Sequence, residues 1–134
     1  MSIGSWDPAA DAAAHRVTID SDTLQKLIAF SRDDQLDALD SLIDGAQSQA
    51  LAGLMKIDHD QWLAAAEALS NDDVLHLLRF FAVAENLPGW EAGAASPVIP
   101  LARTLRRRGQ KLDKDLLRWL REVSENRYLP YGPL

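Results

Sequence analysis

Four residues near the middle of the chain have side chains suited to holding a metal or moving a proton: Asp58, His59 and Asp60 in one run, and His76 further on. A metal site needs three or four such groups converging on one point. Asp58-His59-Asp60-Gln61 instead has the form of a capping box, in which the aspartate serves the N3 amide of a helix and Gln61 reaches back. His59 and Asp60 then fall in a solvent-facing first turn, and no metal is expected. The chain has no cysteine, which removes thiolate nucleophiles, disulfides and cysteine-ligated metal centres. No glycine-rich phosphate loop comes after a strand, and no serine sits in a nucleophile-elbow setting. The expectation is a protein that is not an enzyme and carries no cofactor. A carboxylate pair brought together only in three dimensions is the route to hydrolysis that linear spacing leaves open.

Charge gives a stronger signal. Residues 1–96 carry 5 Lys+Arg against 16 Asp+Glu, and residues 97–134 carry 9 against 4, so the net charge of −6 divides into −11 and +5. Arg103, Arg106, Arg107 and Arg108 fall on the outward part of one helix, Lys111 and Lys114 on the next turn, and Arg118 and Arg121 on the next helix. Together they would cover one end of the domain. Such a split implies that the two parts pair internally, that molecules associate head to tail, or that the basic end meets an anionic partner. Nucleic acid would use these groups on phosphates, with Trp119 and Tyr128 as the nearby aromatics for stacking. The acidic remainder opposes this, and Arg118 with Glu122 and Arg121 with Glu125 have the i,i+4 spacing of local pairs. A protein partner is therefore placed first, with nucleic-acid or anion binding through the basic C-terminal helices as the alternative.

A second candidate surface pairs the loop Leu87-Pro88-Gly89-Trp90-Glu91 with the tail Arg127-Tyr128-Leu129-Pro130-Tyr131. Both carry large aromatics in segments too rich in Gly and Pro to form core helices. They would either bind a peptide or close the open end of a helix stack, as terminal caps must. The candidate interaction surface is thus Trp90, Glu91, Arg103, Arg106, Arg107, Lys111, Arg118, Arg127, Tyr128 and Tyr131.

The elements that must position these groups are helical throughout. Residues 1–19 mix Gly, Pro and Ala without a sustained period and read as a flexible or irregular arm, in which Trp6 alone has much to bury. Residues 20–134 read as one α-helical domain, large enough to bury roughly two-thirds of its chain surface. Leu24, Leu27 and Ile28 mark a first helix, ending near Ser31. Ser31-Arg32-Asp33-Asp34 is then expected to cap a second, with Leu36, Leu39, Leu42 and Ile43 inward. Gly45 marks a break before a helix over residues 46–55, and the Asp58 box starts one with Trp62, Leu63, Ala66 and Leu69. Ser70 to Asp73 cap a helix to residue 84 that is apolar on almost every side and must lie between others. Ser96-Pro97 starts the next helix, Gly109 caps its end in the left-handed conformation, and Asp113 starts the last, with Asn126 as its C-cap.

Two of these caps share a pattern. Ser31 to Leu39 and Ser70 to Leu78 both read S-x-D-D-x-L-x-x-L, 39 residues apart, and Leu42 then matches Phe81; a further shift of 42 lays Asp115, Leu117, Leu120 and Val123 on the same template. An amphipathic helix precedes each copy, so the period near 40 describes three antiparallel hairpins that bury their faces by stacking. In period and paired helices, residues 20–126 resemble the HEAT-like and armadillo-like class of helical repeats. The resemblance implies a scaffold that binds proteins, peptides or nucleic acid on a face, without chemistry. The expected fold is all-α, about six helices in three stacked hairpins, either as a right-handed repeat or as a compact bundle. The apolar runs stop well short of the roughly 20 residues a membrane span needs, no secretory signal is evident, and a cytoplasmic protein that uses no membrane is expected.

Overall fold

In the computed structural model, which describes residues 19–124 and Asn126, every regular element is helical and no strand occurs among the described residues. The α-helices among the described residues are α1 (Ser21–Arg32), α2 (Leu39–Leu42), α3 (Gly45–Ala52), α4 (His59–Ala66), α5 (Asn71–Ala84), α6 (Val98–Arg107) and α7 (Lys114–Val123), with 3₁₀ turns at Leu36–Ala38, Gly53–Lys56 and Gly93–Ala95. The all-α class expected from sequence is the observed one. Among the described residues no helix is long and apolar enough to cross a membrane. Of the irregular segment expected at 1–19, only Ile19 is among the described residues, and it packs on the core.

Local chemistry explains where most helices start. Asp20 accepts from the Thr23 amide at 2.8 Å and from its hydroxyl at 2.9 Å, bonds that hold the Asp20 carboxyl below its usual pKa. Asp44 accepts from the Gln47 amide at 2.8 Å, Ser70 from Asp73 at 3.1 Å, and Asp113 from Leu116 at 2.7 Å. Each satisfies one of the four amides that a helix leaves unpaired at its start. Ser96 Oγ accepts from the Val98 amide at 3.2 Å, and Pro97 supplies a helical φ of −61°. Asp58 holds the N-cap position of α4, yet its side chain makes no capping bond; the expected box is not formed.

Helix ends account for the main departure from expectation. After α6, Gly109 at φ 76° lets the Gln110 amide reach Leu105 O at 2.9 Å and the Gly109 amide reach Arg106 O at 3.0 Å, a Schellman motif. The same motif ends α1, where Gln35 N donates to Phe30 O at 2.8 Å and Asp34 N to Ser31 O at 3.1 Å, with Asp34 itself at φ 59°. Asp33-Asp34 therefore terminates one helix instead of starting another, and Ser31 lies inside α1. The chain then makes a 3₁₀ turn and a single turn of α-helix in place of the expected longer helix. Leu36, Leu39 and Ile43 are buried as expected, but Leu42 is 42% exposed.

The core forms around α5, whose Val74, Leu77, Leu78, Phe80, Phe81, Ala82 and Ala84 are all buried. It packs chiefly on α1 and α6, and α4 packs on α6. Rings link these layers: Phe30 stacks on Phe80 at 5.8 Å, and Phe80 meets Phe81 edge-on at 5.2 Å. Trp62 meets Phe81 at 5.1 Å in the same way. Helix α7 is held more lightly, with Leu120 buried and Leu116, Leu117, Trp119 and Val123 half-buried.

Phe81 and Leu42 occupy equivalent places in the sequence template but not in the fold. Phe81→Ala is expected to cost about 3–5 kcal/mol, and Leu42→Ala to stay within about 0.5 kcal/mol. Urea melts of the two variants measure the difference.

Candidate functional site

The basic stretch is built on two helix faces and the turn between them. Val98, Leu101, Ala102 and Leu105 of α6 point inward, which turns Arg103, Arg106 and Arg107 out at spacings of three and four. Lys111 is exposed in the turn, and Lys114 and Arg118 are exposed one turn apart on α7. Arg118 pairs with Asp115 at 3.9 Å, not with Glu122; both groups are largely exposed, and such a pair contributes little. Arg103, Arg106, Arg107, Lys111 and Lys114 meet no carboxylate among the described residues. The other ion pairs between described residues, Arg32 with Asp72 at 3.5 Å and with Asp73, and His76 with Asp72 at 3.6 Å, stay inside the acidic part. No ion pair between described residues joins the acidic part to the basic part.

Arg108 does not belong with its neighbours. Its Nη1 donates to Leu69 O at 2.9 Å and to Asn71 Oδ1 at 3.0 Å, and its Nη2 to Ala66 O at 2.9 Å. The guanidinium thus satisfies the Leu69 carbonyl beyond the end of α4, adds a second donor to Ala66 O, which already accepts from the Leu69 amide at 3.0 Å, and ties both to the first residue of α5. Nothing in the run of arginines distinguishes it except its place just before Gly109, where the chain turns back toward the body.

The loop candidate changes character in three dimensions. Trp90 is fully buried, donates from its indole N–H to Ser48 Oγ at 2.8 Å, and meets Phe80 edge-on at 6.2 Å. It closes the core and presents no surface, which removes it from the candidate interaction set. Glu91 is exposed beside it. Arg127, Tyr128 and Tyr131 lie outside the described residues. Beneath the loop Glu85 is only 6% exposed. Its Oε1 accepts from the Asn126 amide at 2.9 Å, which also donates to Gly93 O at 2.9 Å, while Oε2 has no hydrogen-bond partner. Burial pushes the Glu85 pKa up to about 7, against the opposing effect of the hydrogen bond from Asn126. Asn126, expected as the C-cap of α7, serves this carboxyl instead; α7 ends at Ser124.

The residues with catalytic potential separate. No group of three His, Asp or Glu among the described residues is arranged to hold a metal. His76 faces a partner that linear spacing did not reveal: Ser31 Oγ lies 2.8 Å from its Nδ1, across 45 positions of sequence. With Asp72 the three types match a hydrolase triad, but 3.6 Å from Nε2 to Asp72 exceeds a hydrogen bond, and Asp72 is shared with Arg32. The set works as a polar clasp between the last turn of α1 and the first turns of α5.

Glu85 and Arg108 each give a measurable outcome. Below pH 4.5 Glu85 is protonated whether the chain is folded or not; between about 4.5 and 7 the unfolded chain releases its proton while the folded one keeps it. Stability is therefore lost as pH rises through that window, by up to about 3 kcal/mol. Glu85→Gln should remove that slope, measured as urea midpoints at pH 5 and pH 8. Arg108→Ala should cost about 1–3 kcal/mol by orphaning the Leu69 carbonyl and releasing Asn71 and Ala66, whereas Arg107→Ala should stay within about 0.5 kcal/mol.

No family model matches this chain, and no curated protein or solved structure is similar enough to match it.

Proposed function

We propose that this chain is a non-enzymatic interaction module whose basic stretch, Arg103, Arg106, Arg107, Lys111, Lys114 and Arg118, engages an acidic segment of a protein partner in the cytoplasm. One observation carries the proposal. In a chain of net charge −6, five of these exposed cations are left without a carboxylate among the described residues. Acidic groups are in excess, so an unpaired basic face is a property of the fold and not of a shortage of partners. Unpaired surface cations cost little in water and steer association with an anionic surface. The sequence period near 40 is what suggests a scaffold role of the HEAT-like or armadillo-like kind; on that template Ser70 caps α5, while α7 is capped by Asp113, one place out of register. Nucleic acid fits less well, because Trp119, the described aromatic nearest the stretch, already stacks under the Arg79 guanidinium at 4.9 Å.

The test is a triple reversal, Arg106→Glu with Arg107→Glu and Lys111→Glu, which should leave the melting behaviour unchanged to within about 0.5 kcal/mol. A partner captured in fixed stoichiometry by the wild type should be lost at least tenfold by the reversal. Binding of generic single- and double-stranded oligonucleotides is measured in parallel at low and physiological salt. Tight oligonucleotide binding that the reversal abolishes would replace the protein partner with nucleic acid, and capture untouched by the reversal would sink the basic face.

A further inference from the structure

Helix α5 has one strip that is not enclosed, and it runs Asp72, His76, Arg79, Val83 at spacings of four, three and four. Asp72 and His76 belong to the clasp with α1. Arg79 and Val83 form the floor of a cleft of about 340 Å³. Asp34, at the end of α1, and Leu36 and Asp37 of the 3₁₀ turn supply one wall, and α7 supplies the other with Trp119 and Val123.

The charges in this cleft are set but not neutralised. The Arg79 guanidinium lies over the Trp119 ring at 4.9 Å, and its Nε is sealed from solvent without a hydrogen-bond partner. Its two Nη groups carry no hydrogen bond to any described residue, nor are they sealed in this way. Stacking on the indole fixes a flat, fully charged fork, the arrangement that takes a carboxylate through two parallel hydrogen bonds. Asp34 and Asp37 line the same cleft, and neither reaches ion-pair distance of Arg79. Asp34 is further restricted by its role in ending α1, at φ 59°. A bare anion would meet two carboxylates and a bare cation would meet the guanidinium. A molecule with both charges a few ångströms apart satisfies both sides, and Leu36, Val83 and Val123 offer its remainder an apolar surface. The volume is at the small end of ligand pockets, which run from roughly 300 to 1,000 Å³.

We propose that the cleft between the Leu36–Ala38 turn, α5 and α7 binds a small zwitterion, a free α-amino acid with an apolar or aromatic side chain. Its carboxylate lies on Arg79, its ammonium on Asp34 and Asp37, and its side chain on Leu36, Val83 and Val123. This site shares no residue with the basic stretch, and the proposal does not rest on the basic stretch having a partner.

Titration of the full chain with leucine and with phenylalanine, followed by the indole N–H resonance of Trp119 identified from a Trp119→Phe variant, tests the assignment. Saturable shifts with a Kd of about 1 mM or tighter are expected. The N-acetyl derivative, which lacks the ammonium, and the amide, which lacks the carboxylate, should each bind at least tenfold more weakly. Arg79→Lys, which keeps the charge and loses the fork, should weaken binding at least tenfold, as should Asp34→Asn combined with Asp37→Asn. The two variant sets disturb opposite walls, so a folding defect in one leaves the other informative. Three results would overturn the proposal: no saturable shift up to about 10 mM, equal binding of the N-acetyl derivative or the amide, or a double-mutant cycle showing Arg79 coupled to Asp37 without ligand, which would mean that the chain neutralises itself.

Discussion

Helix α5 is stable in water only where other elements cover it, because half of its 14 residues are buried apolar groups spread over more than half of its circumference. That requirement sets the positions of the rest. Helix α1 brings Leu24, Leu27 and Ile28 to it, and α6 brings Val98, Leu101, Ala102 and Leu105. The loop after α5 folds back so that Trp90 covers Phe80. Trp90 sits in a segment shaped by Pro88 and Gly89, where no helix could place an indole over that ring. Burying so large a side chain offsets part of the entropy lost in ordering the loop. The enclosure leaves one strip open, and the chain's more unusual polar chemistry lies along it.

Charge is handled differently at different depths. Where a cation is drawn inward it is given partners or a ring: Arg108 receives the carbonyls of Ala66, at the end of α4, and Leu69, just beyond it, and Arg79 receives the face of Trp119. Where a carboxyl is drawn inward, as at Glu85, the site favours its neutral form and an amide from Asn126 holds one oxygen. At the surface nothing enforces pairing. The acidic residues of 33–44 and the cations of 103–118 therefore stay apart, although opposite charges on one chain attract, since screening makes such attraction too weak to bend helices toward each other. Among the described residues the acidic and basic parts thus remain two separate surface characters.

Sequence carried the parts of this fold that are decided within a few residues. Ser70, Asp113, Ser96-Pro97 and Gly109 each act on amides or carbonyls two to four positions away, and each does what its type and place imply. The burial of α5 was legible for the same reason, since its apolar residues are its own. Asp33-Asp34 was ambiguous because an aspartate serves a helix start and also tolerates the left-handed conformation that ends one. The choice depended on α1 running one residue past Ser31, with the Ser31 hydroxyl held against His76 across the helix pair. Arg108, Trp90 and Arg79 were not legible at all in their roles. Their partners lie 37 to 42 positions away in the first two cases, and a run of four arginines or a lone one in an apolar helix reads the same whether it is free or held.

Helix α7 connects the two surfaces that the enclosure of α5 leaves available. Its Lys114 and Arg118 extend the basic stretch, while its Trp119 and Val123 form a wall of the cleft. It is also the long helix with least in the core, anchored by Leu120 and by the contact of Asn86 with Val123 O near its end. A lightly held helix shifts at less cost than an enclosed one such as α5. A ligand seated against Trp119 would stabilise one placement of α7, and a partner on Lys114 and Arg118 would do the same from the opposite direction. By linkage, whatever preference the two share must act reciprocally. The physical origin of that coupling would be the weak burial of α7, since a helix locked by a full apolar face would leave neither site able to sense the other.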